Sequence, residues 1–212
     1  NFPILSANFP LATYPLAALC LHTEFSPLPG LTFRESLYNG VASDRINRQF
    51  RFCPRSDGMF NIGSLSYHIG EEDRHHGYYA VGYALGSSPS ETSADKTFNY
   101  ALWTLIEQPL LHIGESHLGA MWQGGTSPAS RSTCRHYWGA GLIWSNIPPR
   151  MTQVGLVVNR ALYADGRETD VELTGSFPVC NHFTLQPAVH CINTNGNYTA
   201  AAQLRAILEF GN

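Results

Sequence analysis

Asp170-Val-Glu-Leu-Thr-Gly-Ser-Phe-Pro-Val179, Phe183-Thr-Leu-Gln-Pro-Ala-Val-His-Cys-Ile192 and Ala202-Gln-Leu-Arg-Ala-Ile-Leu-Glu-Phe210 decide how this chain is read. All three alternate. In the first, Val171, Leu173, Gly175, Phe177 and Val179 share one face, and Asp170, Glu172, Thr174, Ser176 and Pro178 the other. In the second, Phe183, Leu185, Pro187, Val189 and Cys191 oppose Thr184, Gln186 and His190. In the third, Ala202, Leu204, Ala206, Leu208 and Phe210 oppose Gln203, Arg205 and Glu209. A period of two sends alternate side chains to opposite faces of a sheet. Long strands with charge on one side and apolar residues on the other fit a wall between water and lipid. Soluble β-sandwiches alternate as well, so the rest of the chain must separate the two.

Composition favours the wall. The chain has 212 residues, enough for one large domain or barrel. Only 14% are charged, against about 25% in soluble domains. Ten Tyr, eleven Phe and four Trp bring aromatics to 12%. No apolar run approaches the ~20 residues of a membrane helix. These features predict an all-β, antiparallel transmembrane barrel or partial barrel, read as a single domain over 1–212. The net charge of -3 argues against a nucleic-acid partner. Asn1-Phe-Pro-Ile lacks a basic start and a cleavage site, so either a leader has been removed or the chain begins inside a longer protein. The five cysteines are odd in number and none sits in a metal-ligand spacing, so neither a metal nor another cofactor is expected.

Eleven strands can be marked: 14–25, 31–39, 59–69, 78–85, 98–110, 112–122, 136–145, 152–163, 170–179, 183–192 and 202–210. No segment holds a helical period. Connections at 26–30, 70–77, 146–151 and 180–182 are short, and the one near Gln108–Leu111 is almost absent. Those at 40–58, 86–97 and 123–135 are long and polar, with 164–169 and 193–201 between. If the last strand runs towards the periplasm, all the short turns fall on that side, as in outer-membrane barrels. Trp138, Ala140, Leu142 and Trp144 then face outward, with the two tryptophans near opposite ends as in aromatic girdles. Glu35 falls on the outer face, where a charge is costly.

Several segments, in order, resemble the C-terminal half of the OprB family of carbohydrate-selective outer-membrane porins. Phe9-Pro-Leu-Ala-Thr-Tyr-Pro-Leu-Ala-Ala-Leu19 is similar to the family's entry into a mid-barrel strand. Leu37-Tyr-Asn-Gly40 resembles its V-Y-D-G turn, and Gly77-Tyr-Tyr-Ala-Val-Gly82 its G-x-Y-x-x-G strand. Leu105-Ile-Glu-Gln-Pro-Leu110 and Gly139-Ala-Gly-Leu-Ile-Trp-Ser-Asn-Ile-Pro-Pro-Arg150 follow. Gly155-Leu-Val-Val-Asn-Arg-Ala-Leu162, Glu168-Thr-Asp-Val-Glu-Leu173 and Phe183-Thr-Leu-Gln-Pro-Ala-Val-His190 complete the series. The family is about twice as long, with about sixteen strands, and ends on its aromatic. Here Gly211 and Asn212 follow Phe210. The resemblance implies passive diffusion of small sugars through a polar lumen in a Gram-negative outer membrane, without enzymatic chemistry.

A lumen selects by width, charge and hydrogen-bonding groups. The inward candidates are His22, Glu24, Arg34, Tyr38, Glu115, His117, Glu172, Gln186, His190, Arg205 and Glu209. Opposed Arg and Glu side chains can hold sugar hydroxyls through paired hydrogen bonds. Expected partners are small carbohydrates, outer-membrane lipid, and a second chain or further copies completing the barrel. Each candidate also reads as an ordinary solvated lumen residue. The run Glu71-Glu-Asp-Arg-His-His76 offers metal-ligating groups but reads as a solvated turn. Glu115 and His117, two apart, read as neighbours on one pleat rather than as an acid–base pair. Cys53 and Cys134 both fall in expected external loops, where a disulfide is one option. Two other functions stay open: a porin-like structural or assembly component, and a soluble β-barrel binding module.

Overall fold

The alternation resolves into one antiparallel sheet. A computed structural model describes residues 3–9, 17–41, 45, 49–70, 77–89, 96–148 and 151–209. Its strands are β1 (Cys20–Leu28), β2 (Leu31–Asn39), β3 (Met59–Ile69), β4 (Gly77–Pro89), β5 (Lys96–Ile113), β6 (Ser116–Thr126), β7 (Cys134–Ile147), β8 (Met151–Tyr163), β9 (Arg167–Cys180), β10 (Phe183–Thr194) and β11 (Asn197–Leu208). Each pairs only with its neighbours in sequence, so the spatial order is β1 to β11. Among the described residues, two four-residue helices, α1 (Pro3–Ser6) and α2 (Pro54–Asp57), lie outside the sheet.

All eleven expected strands are present, and β2 and β3 keep their expected bounds. Three readings change. β1 starts at Cys20 rather than at position 14, and 14–16 lie outside the described residues. β5 runs straight through Gln108–Leu111, absorbing the break as an irregularity between Pro109 and Leu111. The turn comes instead at Gly114–Glu115, where Gly114 adopts φ 61. That left-handed conformation suits glycine because there is no Cβ to clash. The sorting of connections is also weaker than expected. The strands flanking 164–166 and 195–196 extend to leave tight turns, whereas 40–58 and 127–133 remain long. At Asn195-Gly196 both residues take positive φ, the geometry of a tight hairpin turn.

Register carries each face across the sheet. One row runs Leu31, Tyr67, Tyr79, Ile106, Trp122, Ala140, Val158, Val171, Cys191 and Ala200. The adjacent row, on the opposite face, runs Thr32, Ser66, Ala80, Leu105, Gln123, Gly139, Asn159, Asp170, Ile192 and Thr199. Along β4 and β5 small residues on the second face are buried (Ala80, Ala84, Ala101), while Val81, Leu85, Tyr100 and Leu102 on the first are exposed. Small side chains crowd together on a concave surface and large ones spread on a convex one. The polar face is therefore the inner face and the apolar face the outer.

The core lies on the inner face. Ile4, Phe9, Phe60, Ala84, Ala101, Cys134, Tyr137 and Ala161 form it. The α1 segment is seated there because Gly86 and Gly125 lack side chains where Phe9 and Ile4 pack. Burying an Ile side chain contributes about 1.5–3 kcal/mol. Asn8 adds a two-point clamp. Its Nδ2 donates to the Cys134 carbonyl at 2.6 Å, and the Cys134 N–H donates to its Oδ1 at 2.9 Å. Beside it, Asn99 donates to Ser132 Oγ at 3.1 Å, and Ser127 Oγ donates to the Tyr100 carbonyl at 2.6 Å. These bonds tie the 127–133 connection down.

The sheet has two free edges among the described residues. Every residue of β1 is exposed, and β11 is exposed almost throughout. Neither strand pairs with the other.

Candidate functional site

The inner face gathers its polar groups into two sectors. On β1–β3, His22 Nδ1 lies 2.7 Å from Ser36 Oγ. Arg34 Nε donates to Glu24 Oε2 at 2.7 Å, and its other arm reaches Ser66 Oγ at 3.4 Å. Direct register makes these contacts: His22 faces Ser36, and Glu24 faces Arg34. Tyr38 stands on the same face, its ring 5.8 Å from Phe60. Both members of the Arg34–Glu24 pair are about half exposed, so the pair stays open to solvent or solute, and its net contribution to stability is small.

The second sector spans β6–β11. Gln123, Tyr137 and Asn159 form a hydrogen-bonded triangle in which Tyr137 OH donates to Asn159 Oδ1 at 2.8 Å and Gln123 Nε2 donates to both partners. Gly139 leaves the space, since a Cβ there would strike Asn159 and Gln123. Next to it, His190 Nδ1 lies 3.1 Å from Asp170 Oδ2, and Glu172 sits directly opposite His190. Further along β10, Gln186 faces Arg205 of β11.

The sequence-expected residues therefore divide. His22, Glu24, Arg34 and Tyr38 come together on the first sector, and Glu172, His190, Gln186 and Arg205 on the second. His117 is on the inner face at the short-turn end, its ring stacked 6.1 Å from His112. Glu115 is not on a strand face but at the β5–β6 turn tip, because β5 runs three residues further than the pattern suggested, to Ile113. Glu209 lies just past β11, where its backbone N–H donates to the His182 carbonyl. Cys53 and Cys134 carry no disulfide, and Cys134 is buried under α1 rather than in a loop. The run Glu71–His76 lies outside the described residues. Sequence reading passed over Gln123, Asn159 and the Asn8 clamp. Gln123 was hidden by ending its strand at Trp122, four residues short of its end at Thr126. Asn8 lies outside any periodic stretch.

The outer face is not wholly apolar: Asn61, Gln108 and Arg160 lie on it, and so, at the expected position, does Glu35. Glu35 accepts hydrogen bonds from Tyr83 OH (2.9 Å) and from Asn61 Nδ2. Gly63 stands between Glu35 and Tyr83 in register, and its missing side chain lets Tyr83 reach across. The carboxylate is thus satisfied on the apolar wall without a cation. Trp122 and Trp138 stack on this wall, with centroids 6.1 Å apart and planes at 8°. At the long-loop end, hydrogen bonding to Cys53 and the charge of Asp57 hold the Arg51 guanidinium above its ordinary pKa.

The whole arrangement matches a solved barrel, the high-pH structure of Pseudomonas putida OprB, with a TM-score of 0.72 over 92% of this chain. The fold is OprB-like. Identity to that protein is 13%, so the likeness is one of fold. The chain spans 58% of the Pseudomonas putida OprB chain. No protein-family model and no curated sequence matches the chain.

Proposed function

We propose that the chain forms the larger part of the wall of an outer-membrane diffusion channel for small carbohydrates. The observation that carries this reading is the division of one eleven-stranded sheet into an apolar convex face and a polar concave face. Exposed Leu21, Phe25, Leu65, Val81, Leu102, Leu142, Leu156, Leu173 and Leu204 cover the convex face from β1 to β11. A continuous apolar surface of this extent is out of place in water and suits lipid. On the concave face, His22, Glu24, Arg34, Tyr38, Glu172, Gln186, His190 and Arg205 offer donors and acceptors in turn. Sugars would exchange water for these groups at little net cost and pass without any bond being made or broken. The α1 segment, seated on this face, would narrow the passage.

Strand direction constrains how the wall closes. Eleven antiparallel strands leave β1 and β11 pointing the same way. Joining them directly would need a parallel pair, and so would edge-to-edge joining of copies inserted in one orientation. An odd number of further strands closes an all-antiparallel barrel, and unpaired backbone cannot face hydrocarbon. Those strands come from elsewhere in a longer protein or from a second chain.

Liposome swelling tests the function. Vesicles holding the closed assembly should admit mono- and disaccharides and exclude large oligosaccharides. Vesicles that stay impermeable to every sugar would sink the channel reading. The open edges favour a second reading, a non-conducting structural component of a membrane complex. Recovery of the chain only in a larger complex, with no sugar flux, would select it. Quantitative recovery from water without detergent would instead point to a soluble binding module.

A further inference from the structure

We propose that Asp170, Glu172 and His190 form a binding site for one divalent transition-metal cation on the inner wall. Asp170 and Glu172 are two residues apart on β9, so both carboxylates project inward. β10 places His190 opposite Glu172 and diagonal to Asp170. One ligand atom from each lies within 4.8 Å of the other two. The His190–Asp170 separation of 3.1 Å is an edge length for coordination with bonds of about 2.1 Å.

A second observation concerns the other oxygen of Asp170. Asp170 Oδ1 is shut off from solvent and has no hydrogen-bond partner among the described residues. A carboxylate oxygen enclosed in this way is costly unless something positive meets it. His190 serves only Oδ2, and Asn159, opposite Asp170 on β8, turns its Oδ1 to Tyr137 and Gln123. Two carboxylates and one imidazole suit zinc and its neighbours in the first transition row better than magnesium or calcium, which favour all-oxygen sets. Three protein ligands leave coordination positions for water or solute hydroxyls. Loading the site would cancel the charge of its two carboxylates.

The inference does not rest on transport, and its test reads binding directly. Untagged chain in detergent micelles is dialysed against Zn2+, with Ca2+ as a parallel arm, and bound metal is counted. Wild type should retain one more Zn2+ per chain than His190→Ala or Glu172→Gln, each variant weakening that site roughly tenfold or more. Asp170→Asn, which keeps the shape of the side chain, should behave like them while circular dichroism stays unchanged. Equal Zn2+ retention by wild type and the folded Asp170→Asn chain overturns the proposal. Tighter retention of Ca2+ than Zn2+ overturns the assignment to a transition metal.

Discussion

The middle of the sheet and its last strands are built from the same alternating pattern but held in different ways. In the middle strands α1 packs on the inner face over β5 and β7, and Ala84, Ala101 and Ala161 on that face are buried. In β11 both faces are open, and Leu204 is 67% exposed. A pattern of alternation therefore specifies strands equally well in both places, whereas packing distinguishes them. The centre is held by contacts within the chain. The edge has few such contacts among the described residues.

The strongest way to break this comparison is to overfill the centre. Gly82 lies under the Trp103 ring, and a Cβ there would also meet the Gly63 carbonyl. Gly82→Val should cost about 2–3 kcal/mol in denaturant unfolding from micelles. Asn8→Ala comes next. It strips the Cys134 backbone of its paired bonds and should cost about 1–2 kcal/mol. In the closed assembly it should also raise the size of sugar admitted, read by liposome swelling. Glu35→Leu should cost about 1 kcal/mol by leaving Tyr83 without its acceptor and Asn61 with only the Ser36 carbonyl, and Glu35→Gln should recover most of it. The smallest effect belongs to the edge. Leu204→Ala should shift micellar stability by no more than about 0.5 kcal/mol. A loss there equal to that of Gly82→Val would show that β11 is packed like the centre.

Much of the fold was legible because alternation is a local signal. Val171, Leu173, Val189 and Leu204 could be given a face from their neighbours alone, and register merely joined the faces. The Gly114–Glu115 turn was missed because Pro109 mimics a strand break, although a bulge can carry proline within a strand. Within the site, pairs set by direct register, such as Glu24 with Arg34, follow once strand order is known. The Gln123–Tyr137–Asn159 triangle crosses three strands through the gap at Gly139. Asn8 reaches a strand far along the chain. No short window of sequence records either contact.

That last contact bears on the order of assembly. Every strand pairs with its sequence neighbour, so the sheet can zip up one hairpin at a time with little loop closure to pay. The Asn8–Cys134 bond spans 126 positions and has no partner until β7 exists. Seating of α1 should therefore follow sheet formation as a slower kinetic phase, and Asn8→Ala should weaken that phase while leaving the earlier ones in place. The chain's first turn would be among its last parts to find its position.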